Sequence, residues 1–406
     1  MKVLFLGGIF DKDLENEILH KSKSTVHYAA NKLQWNLIDG LLKLDYIKLQ
    51  LLSAPLIGSF PRDYKDVIIR EKETTYNGVA TCKFVKFSNI WGYRNISRKN
   101  HLIKAIKLFA AENEKNKVII VYSPHTPFLQ AAVYAKKKDP STHISLIVPD
   151  LPQFMNLNNK RTLIYDLLKK YDVEVFNRNS RYVDSFVLLT DQMKEILNVG
   201  KRPYIVLEGV VNLEHLSEKL EEEDNQKYIV YTGTLNEKFG VVNLIKAFHK
   251  LEMQDIRLKI CGRGDSEDII REYACKDSRI DFLGQLSNDE AVELQNRAAI
   301  LVNPRQNNEE FTKYSFPSKN MEYLLTGKPV IAYKLDGIPP EYDNFFFYVE
   351  NDTIEALTNT MERVLSMTEE ERSAFGKKGR EFVLKEKNNY SASRKIIEMI
   401  QRYRSR

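Results

Sequence analysis

The sequence predicts an α/β protein of two doubly wound, Rossmann-like domains. Three observations predict it: short apolar runs recur along the chain, longer stretches of helical period separate them, and the alternation starts afresh after residue 226. A length of 406 residues fits two or three domains, each long enough to bury a core.

Residues 3–6, 118–122, 144–148 and 186–189 are short, predominantly apolar runs, the pattern of strands buried on both faces. The opening MKVLFLGGIF is read as the first strand, because its apolar run is too short for a signal peptide and Asp11, Asp13, Glu15 and Glu17 follow it. Residues 228–232, 257–261, 300–303 and 330–333 repeat the pattern. Between the halves, residues 217–227 (SEKLEEEDNQK) are charged, lack a core face and predict a linker. Near the end, Ile396, Ile397, Met399, Ile400 and Tyr403 fall at helical spacing, so a final helix is expected to pack back on the first domain. The expected boundaries are a first domain at 1–212 joined by the helix at 389–406, a linker at 213–227 and a second domain at 228–388.

Charge separates the halves. Residues 1–212 hold 32 Lys and Arg against 21 Asp and Glu, a net of +11, whereas residues 213–406 carry a net of −5. A basic first half suits an anionic membrane surface or a lipid phosphate, and equally a solvated imbalance. No zinc-finger spacing, basic zipper or RNA-binding aromatic signature accompanies it, so nucleic acid is not expected as a partner. Cys82, Cys261 and Cys275 are too few and too scattered for a disulfide framework or a zinc site, and fit a reducing cytoplasm. No apolar run approaches the length that crosses a bilayer.

In open parallel sheets ligands gather beyond the carboxyl ends of strands, so the residues there carry functional information. Gly7 and Gly8, Gly233, and Gly262 with Gly264 stand at such positions, where a missing side chain lets backbone approach a phosphate or sugar. None of these loops is a complete dinucleotide fingerprint, and no P-loop is present. The stretch YSFPSKNMEYLLTGKPVIA at 314–332 combines a turn, a helix start, one carboxylate and a strand. Ser315 is expected as N-cap, Pro317 in the first helical turn, and Gly327 as a left-handed stop before Pro329. Free amides around Phe316, Ser318 and Lys319 favour an anion, and Glu322, one turn on, can accept from ribose hydroxyls or simply be solvated.

Five motifs of the second half occur in a fixed order: YTGTLNEKFG, CGRGD, FLGQLSNDEAVELQNRAAILVNP, YSFPSKNMEYLLTGKPVIA and the Gly337 loop. Together they resemble retaining glycosyltransferases of family 4, the group 1 glycosyltransferases, in their bacterial polysaccharide or glycolipid type. The resemblance extends to the first half through SRYVDSFVLLTDQMKEIL and VLEGVV. It implies a GT-B fold, two Rossmann-like domains facing a cleft, that moves a sugar from a nucleotide-diphosphate donor to a saccharide or lipid-linked acceptor without a metal or cofactor. By the same resemblance Gly7, Gly8, Gly233, Thr234, Lys238, Arg263, Tyr314, Ser315, Phe316, Ser318, Lys319 and Glu322 bind the donor. His125, Lys238 and Glu322 are the catalytic candidates. His125 and Asp150 face the acceptor, although Asp150 can instead cap the turn after its strand.

Two positions depart from the family pattern. Its usual first Glu, eight residues before the ribose-binding one, is Tyr314, and its phosphate-binding Arg is Thr234, while the accompanying Lys is kept as Lys238. Charge compensation at the diphosphate is therefore expected to be thin. The Asp11-Lys12-Asp13 run is spelled like the metal motif of the other large transferase fold, but its place before a helix reads as helix-start charge.

A lipid-linked acceptor would be met at the inner face of the cell membrane, by a cytoplasmic protein in peripheral contact with anionic lipid. Residues 38–60, rich in Leu with Lys43 and Lys48, and residues 91–107, with Trp91, Tyr93, Arg94, Arg98 and Lys99, are the candidate contacts. Core packing is the alternative for the first and a solvated basic helix for the second. Two other classes stay open: a GT-B nucleotide-sugar epimerase, for which no extra acid and base pair is recognisable, and a catalytically silent nucleotide-binding subunit, which Thr234 and Tyr314 motivate. Two domains around a cleft would also close by hinging near 217–227 and Lys387.

Overall fold

A computed structural model describes residues 1–24, 26–151, 163–215 and 226–404. Most of the expected linker, and the hinge crossing expected there, lies outside the described residues.

The chain divides into two compact units, one of residues 1–212 with 389–406 and one of residues 213–388. The first unit runs β1 (Lys2–Gly7), α1 (Lys12–Lys21), α2 (Tyr28–Leu42), β2 (Lys48–Ser53), β3 (Ile68–Ile69), β4 (Lys72–Tyr76), β5 (Ala80–Phe84), β6 (Phe87–Ser88) and α3 (Arg94–Ala111). It continues through β7 (Lys117–Tyr122), α4 (Thr126–Lys138), β8 (His143–Val148), α5 (Leu163–Ser180), β9 (Ser185–Leu188), α6 (Met193–Ile196) and β10 (Tyr204–Val206). Eight strands form one sheet in the order β10-β9-β8-β7-β1-β2-β5-β4, parallel throughout except for the β4–β5 hairpin. Strands β7, β8 and β9 are buried at every residue, which is why their sequences are mostly apolar rather than alternating, with Lys117, His143, Ser145 and Ser185 as buried polar exceptions.

The second unit runs β11 (Tyr228–Thr232), α7 (Val241–His249), β12 (Arg257–Cys261), α8 (Glu267–Lys276), β13 (Ile280–Gly284), α9 (Asn288–Asn296) and β14 (Ile300–Asn303). After these come α10 (Ser318–Leu325), β15 (Val330–Ala332), β16 (Phe347–Tyr348), α11 (Ile354–Leu365) and α12 (Glu369–Glu386). Its parallel sheet has the order β13-β12-β11-β14-β15-β16, so the winding reverses between β11 and β14. Capping boxes begin α9, at Ser287 with Glu290, and α12, at Thr368 with Glu371.

The last helix, α13 (Asn389–Arg404), belongs to the first unit and lies along α2. Ala392, Ile396, Ile397 and Ile400 share a core with Leu37, Ile38 and Leu41, and the Ser393 hydroxyl donates to the Leu37 carbonyl at 2.9 Å. A Cβ at Gly40 would sit 1.9 Å from the Asn389 carbonyl oxygen, so glycine there sets how closely the two helices approach.

The packing narrows both candidate lipid-contact segments. Within residues 38–60, Ile38, Leu41, Leu44, Leu49, Leu51 and Leu52 are buried in α2, β2 and the turn between them, so these side chains pack in the core. Within 91–107, Arg98 is only 1% exposed and Arg94 is half-buried, because both guanidiniums turn inward to backbone carbonyls instead of lining a basic surface. Trp91, Tyr93 and Ile96 do remain exposed at the start of α3. Among the described residues no helix is long and apolar enough to cross a membrane.

Candidate functional site

The reversal in the second sheet brings the loops after β11 and β14 side by side at their carboxyl ends, the position where open α/β sheets take ligands. Backbone packs directly on backbone there. A Cβ at Gly262 would lie 1.7 Å from the Gly233 carbonyl oxygen, and one at Gly264 2.1 Å from that of Leu235. The Gly233 amide donates to Cys261 at 3.0 Å, and the Leu235 amide to the carbonyl of Arg263 at 2.9 Å. The glycines of this region are thus required by contact between neighbouring loops. The Arg263 side chain is exposed.

Two cations share an aromatic floor. The Lys238 ammonium stands 5.3 Å from the Phe239 ring centre and 6.0 Å from that of Phe311, and the Arg305 guanidinium stands 5.3 and 4.5 Å from the same two rings. Arg305 donates to the Ser315 hydroxyl at 3.0 Å, and its buried Nε has no hydrogen-bond partner among the described residues. Burial lowers its pKa to about 10, with Tyr231 acting in the opposite sense, so it remains charged at neutral pH. Sequence reasoning missed this residue. Its place two positions beyond β14 was the available signal, and of the rings that flank it Phe311 comes from the same β14–α10 connection and Phe239 from the loop after β11.

Helix α10 is fixed to β11 by a buried knot. The Tyr323 hydroxyl accepts from the Thr232 amide at 2.9 Å, and Gln295 donates to the Thr232 hydroxyl at 2.7 Å. Its neighbour Glu322 therefore projects from an anchored helix, exposed, with Lys319 donating to its carboxylate at 2.7 Å. The expected cap is corrected: Pro317, not Ser315, occupies the N-cap position and no side chain caps the helix, because the Ser315 hydroxyl is engaged by Arg305. Gly327 does take the left-handed conformation, with φ of +71°.

The other predicted donor residues of this unit differ in exposure. Thr234 and Ser318 are exposed, Gly233 and Tyr314 half-buried. The Thr234 carbonyl accepts from the Tyr231 hydroxyl at 2.9 Å. The Phe316 ring is buried against Tyr342, 5.2 Å between centres, which leaves its side chain a packing role.

In the first unit the winding reverses between β1 and β7, so Gly7 and Gly8 lie beside His125 at one end of the sheet. The Gly8 amide is already taken by the Gln34 side chain at 2.9 Å, and a Cβ at Gly8 would meet Leu56 at 2.3 Å. Ser123, just beyond β7, is held at φ of +71°, a strained conformation for a residue with a Cβ. His125 follows at the N-cap of α4, its Nδ1 buried and without a hydrogen-bond partner among the described residues. Burial first, then the charges of Arg98 and Arg94, hold its pKa well below the usual histidine value, so the imidazole is neutral at pH 7. Arg98 donates to the Pro55 carbonyl at 2.6 Å and Arg94 to that of Ile57 at 3.1 Å. Asp150 follows β8 with an exposed surface, yet loss of solvation pushes its carboxyl up to about 6. Among the described residues no three His, Cys, Asp or Glu side chains converge as metal ligands.

Comparison with known proteins fits this architecture. Residues 213–382 match the family model of group 1 glycosyl transferases. No curated protein matches the chain significantly in sequence. Among solved structures, the sucrose-phosphate synthase of Thermosynechococcus elongatus is similar over 100% of this chain and 100% of its own, at 14% identity and a TM-score of 0.61. HepE of Anabaena, solved in complex with UDP, is similar over 99% and 100%, at 12% identity and a TM-score of 0.61. A TarM variant from S. aureus, in complex with fondaparinux, α-GlcNAc-glycerol and UDP, is similar over 98% and 99%, at 10% identity and a TM-score of 0.58. The chain has the GT-B fold, and its second unit carries the sequence pattern of the group 1 glycosyl transferases.

Proposed function

We propose that the protein is a glycosyltransferase that moves a sugar from a nucleoside diphosphate sugar to a hydroxyl of a saccharide or lipid-linked acceptor. The observation that carries this reading is the convergence of Lys238, Arg305 and Lys319 with Glu322 on the loops and helix around the β11–β14 reversal. A diphosphate leaves with developing negative charge, and fixed cations aimed at it lower the barrier more than any other single device. Arg305 supplies the charge that Thr234 lacks. Glu322 takes the ribose hydroxyls, and donor binding draws Lys319 from the Glu322 carboxylate to the phosphate. Neutral His125, beside the glycine loop of the first unit, orients the reacting sugar and the incoming hydroxyl.

The sequence resemblance supports the finer points of the proposal: transfer with retention, independence of metal, and a role in assembling bacterial cell-surface polysaccharide or glycolipid from the cytoplasmic side. Calorimetric titration of UDP, GDP, ADP and CMP into wild type and Glu322→Gln tests the donor site. One nucleotide is expected to bind, and the substitution to weaken it by about 1 to 3 kcal/mol, as for a lost charged hydrogen-bond partner. Absence of binding by all four at millimolar concentration would leave a silent subunit as the better reading.

A further inference from the structure

The first unit contains a group of basic side chains that its own carboxylates do not neutralise. Arg98 is 1% exposed, lies over Phe87 with 4.4 Å between guanidinium carbon and ring centre, and spends one nitrogen on the Pro55 carbonyl. Its Nε, buried, is without a partner among the described residues, as is the Nδ1 of His125 nearby. Arg94, one turn earlier on α3, reaches the Ile57 carbonyl in the same loop. The carboxylate that acts on Arg94, Asp63, is held by Arg62 at 3.0 Å and by the Ser59 hydroxyl at 3.1 Å. Among the described residues neither guanidinium has an ion-pair partner.

Burying a cation without a counter-ion is costly enough that such groups are ordinarily paired or neutralised. Arg98 cannot readily give up its proton, and an anion from outside would balance the charge that the Pro55 carbonyl and the Phe87 ring offset only in part. The surroundings allow one to arrive: Arg94 and His125 are half-buried, and His27, which feels both guanidiniums, is exposed at the N-cap of α2. Two planar guanidiniums and two imidazoles offer many donors and no acceptor of fixed charge, which matches the several oxygens of a phosphoryl group better than a single carboxylate. Desolvation lowers the pKa of Arg98 to about 9, a burden that an anion beside it would relieve.

We propose that Arg98, Arg94, His125 and His27 form a phosphoryl-binding site in the first unit, and that the phosphoryl group belongs to the acceptor. The second half of that statement rests on the transferase reading above; the first half does not. The group is carried either by a soluble sugar phosphate or by the phosphate of a lipid.

Calorimetry on the full chain with inorganic phosphate tests the site, with UDP titrated separately to report on the donor unit. Wild type is expected to bind phosphate, and Arg94→Gln and Arg98→Gln to bind it at least tenfold more weakly while keeping their affinity for UDP. Arg94→Gln is the safer variant, being half-buried, and thermal melting of each variant separates misfolding from lost recognition. Competition by glucose 1-phosphate would assign a soluble carrier. Cosedimentation of wild type, but not of Arg94→Gln, with vesicles containing phosphatidate would assign a lipid one. Phosphate binding that is absent, or unchanged in both variants, would overturn the site. Parallel loss of UDP affinity in folded variants would move the cluster to the donor's diphosphate and overturn the acceptor assignment. Phosphate binding without any nucleotide binding would keep the site and discard the transferase reading.

Discussion

Arg305 shows how a single residue changes the electrostatic account of the donor site. Thr234 in place of an arginine left Lys238 and Lys319 as the visible cations, and the structure adds a third, stacked on Phe239 and Phe311 with a buried nitrogen to spare. Arg305→Ala is expected to weaken nucleotide binding by about 1.5 to 3 kcal/mol, the usual range for a hydrogen bond to a charged group, with Arg305→Lys intermediate. Calorimetry with the nucleotide that binds wild type checks this, and an unchanged affinity would return Arg305 to a packing role. A different residue governs acid stability. His143 is buried against the Ser185 hydroxyl at 2.9 Å, and loss of solvation lowers its pKa from 6.5 to about 4. Below pH 6.5 the unfolded chain takes up a proton that the folded chain refuses until about pH 4. The stability that neutral His143 provides is therefore complete above pH 6.5 and is lost as pH falls toward 4. Urea unfolding of wild type is expected to lose about 2 kcal/mol more than His143→Gln between pH 7 and pH 4.5. His125 and Arg98 were visible as residue types in the sequence, but not as neighbours, since helix α3 and the β7–α4 turn are brought together only by the sheet.

Among the elements, the buried parallel strands were the most legible, because a strand covered on both faces is apolar along most of its length. The β4–β5 hairpin was not read, although Asn77 and Gly78, both at positive φ, gave a turn signal. Its strand KETTY is polar at every residue but Tyr76 and lies at the sheet edge, so the apolar criterion passed over it. The start of α10 was misjudged for a related reason: a serine before a helix can serve as cap or bond a nearby side chain, and here Ser315 takes Arg305, ten residues earlier on the same loop. The α2–α13 contact offers a test in which local propensity and packing disagree. Alanine in place of glycine inside a helix ordinarily stabilises by about 1 kcal/mol. At Gly40 the added carbon would meet the Asn389 carbonyl at 1.9 Å and the Ser393 hydroxyl at 2.5 Å, so Gly40→Ala is expected to destabilise. A loss of about 1 to 3 kcal/mol by chemical denaturation is the anticipated scale, and a gain would mean that α13 shifts without penalty.

At the scale of the whole molecule, each unit has its own sheet and core, and their charges diverge further once the last helix is assigned. Residues 389–406 bring five basic side chains against one acidic, so the first unit stands at +15 and the second at −9. A basic unit draws anions toward the Arg94 and Arg98 cluster, and this long-range part of the attraction weakens with salt. The path of the chain has a separate consequence. It leaves the first unit after Asn212 and re-enters at Asn389, where the Asn389 amide donates to the Val211 carbonyl at 2.8 Å and its side chain to Asn212 at 3.2 Å. The second unit is thus an uninterrupted insertion whose exit and return strands are neighbours. The core around Leu37, Ile38 and Leu41 is therefore covered by residues that lie beyond the whole of the second unit in the chain, so the first unit closes only through contacts of very long sequence separation.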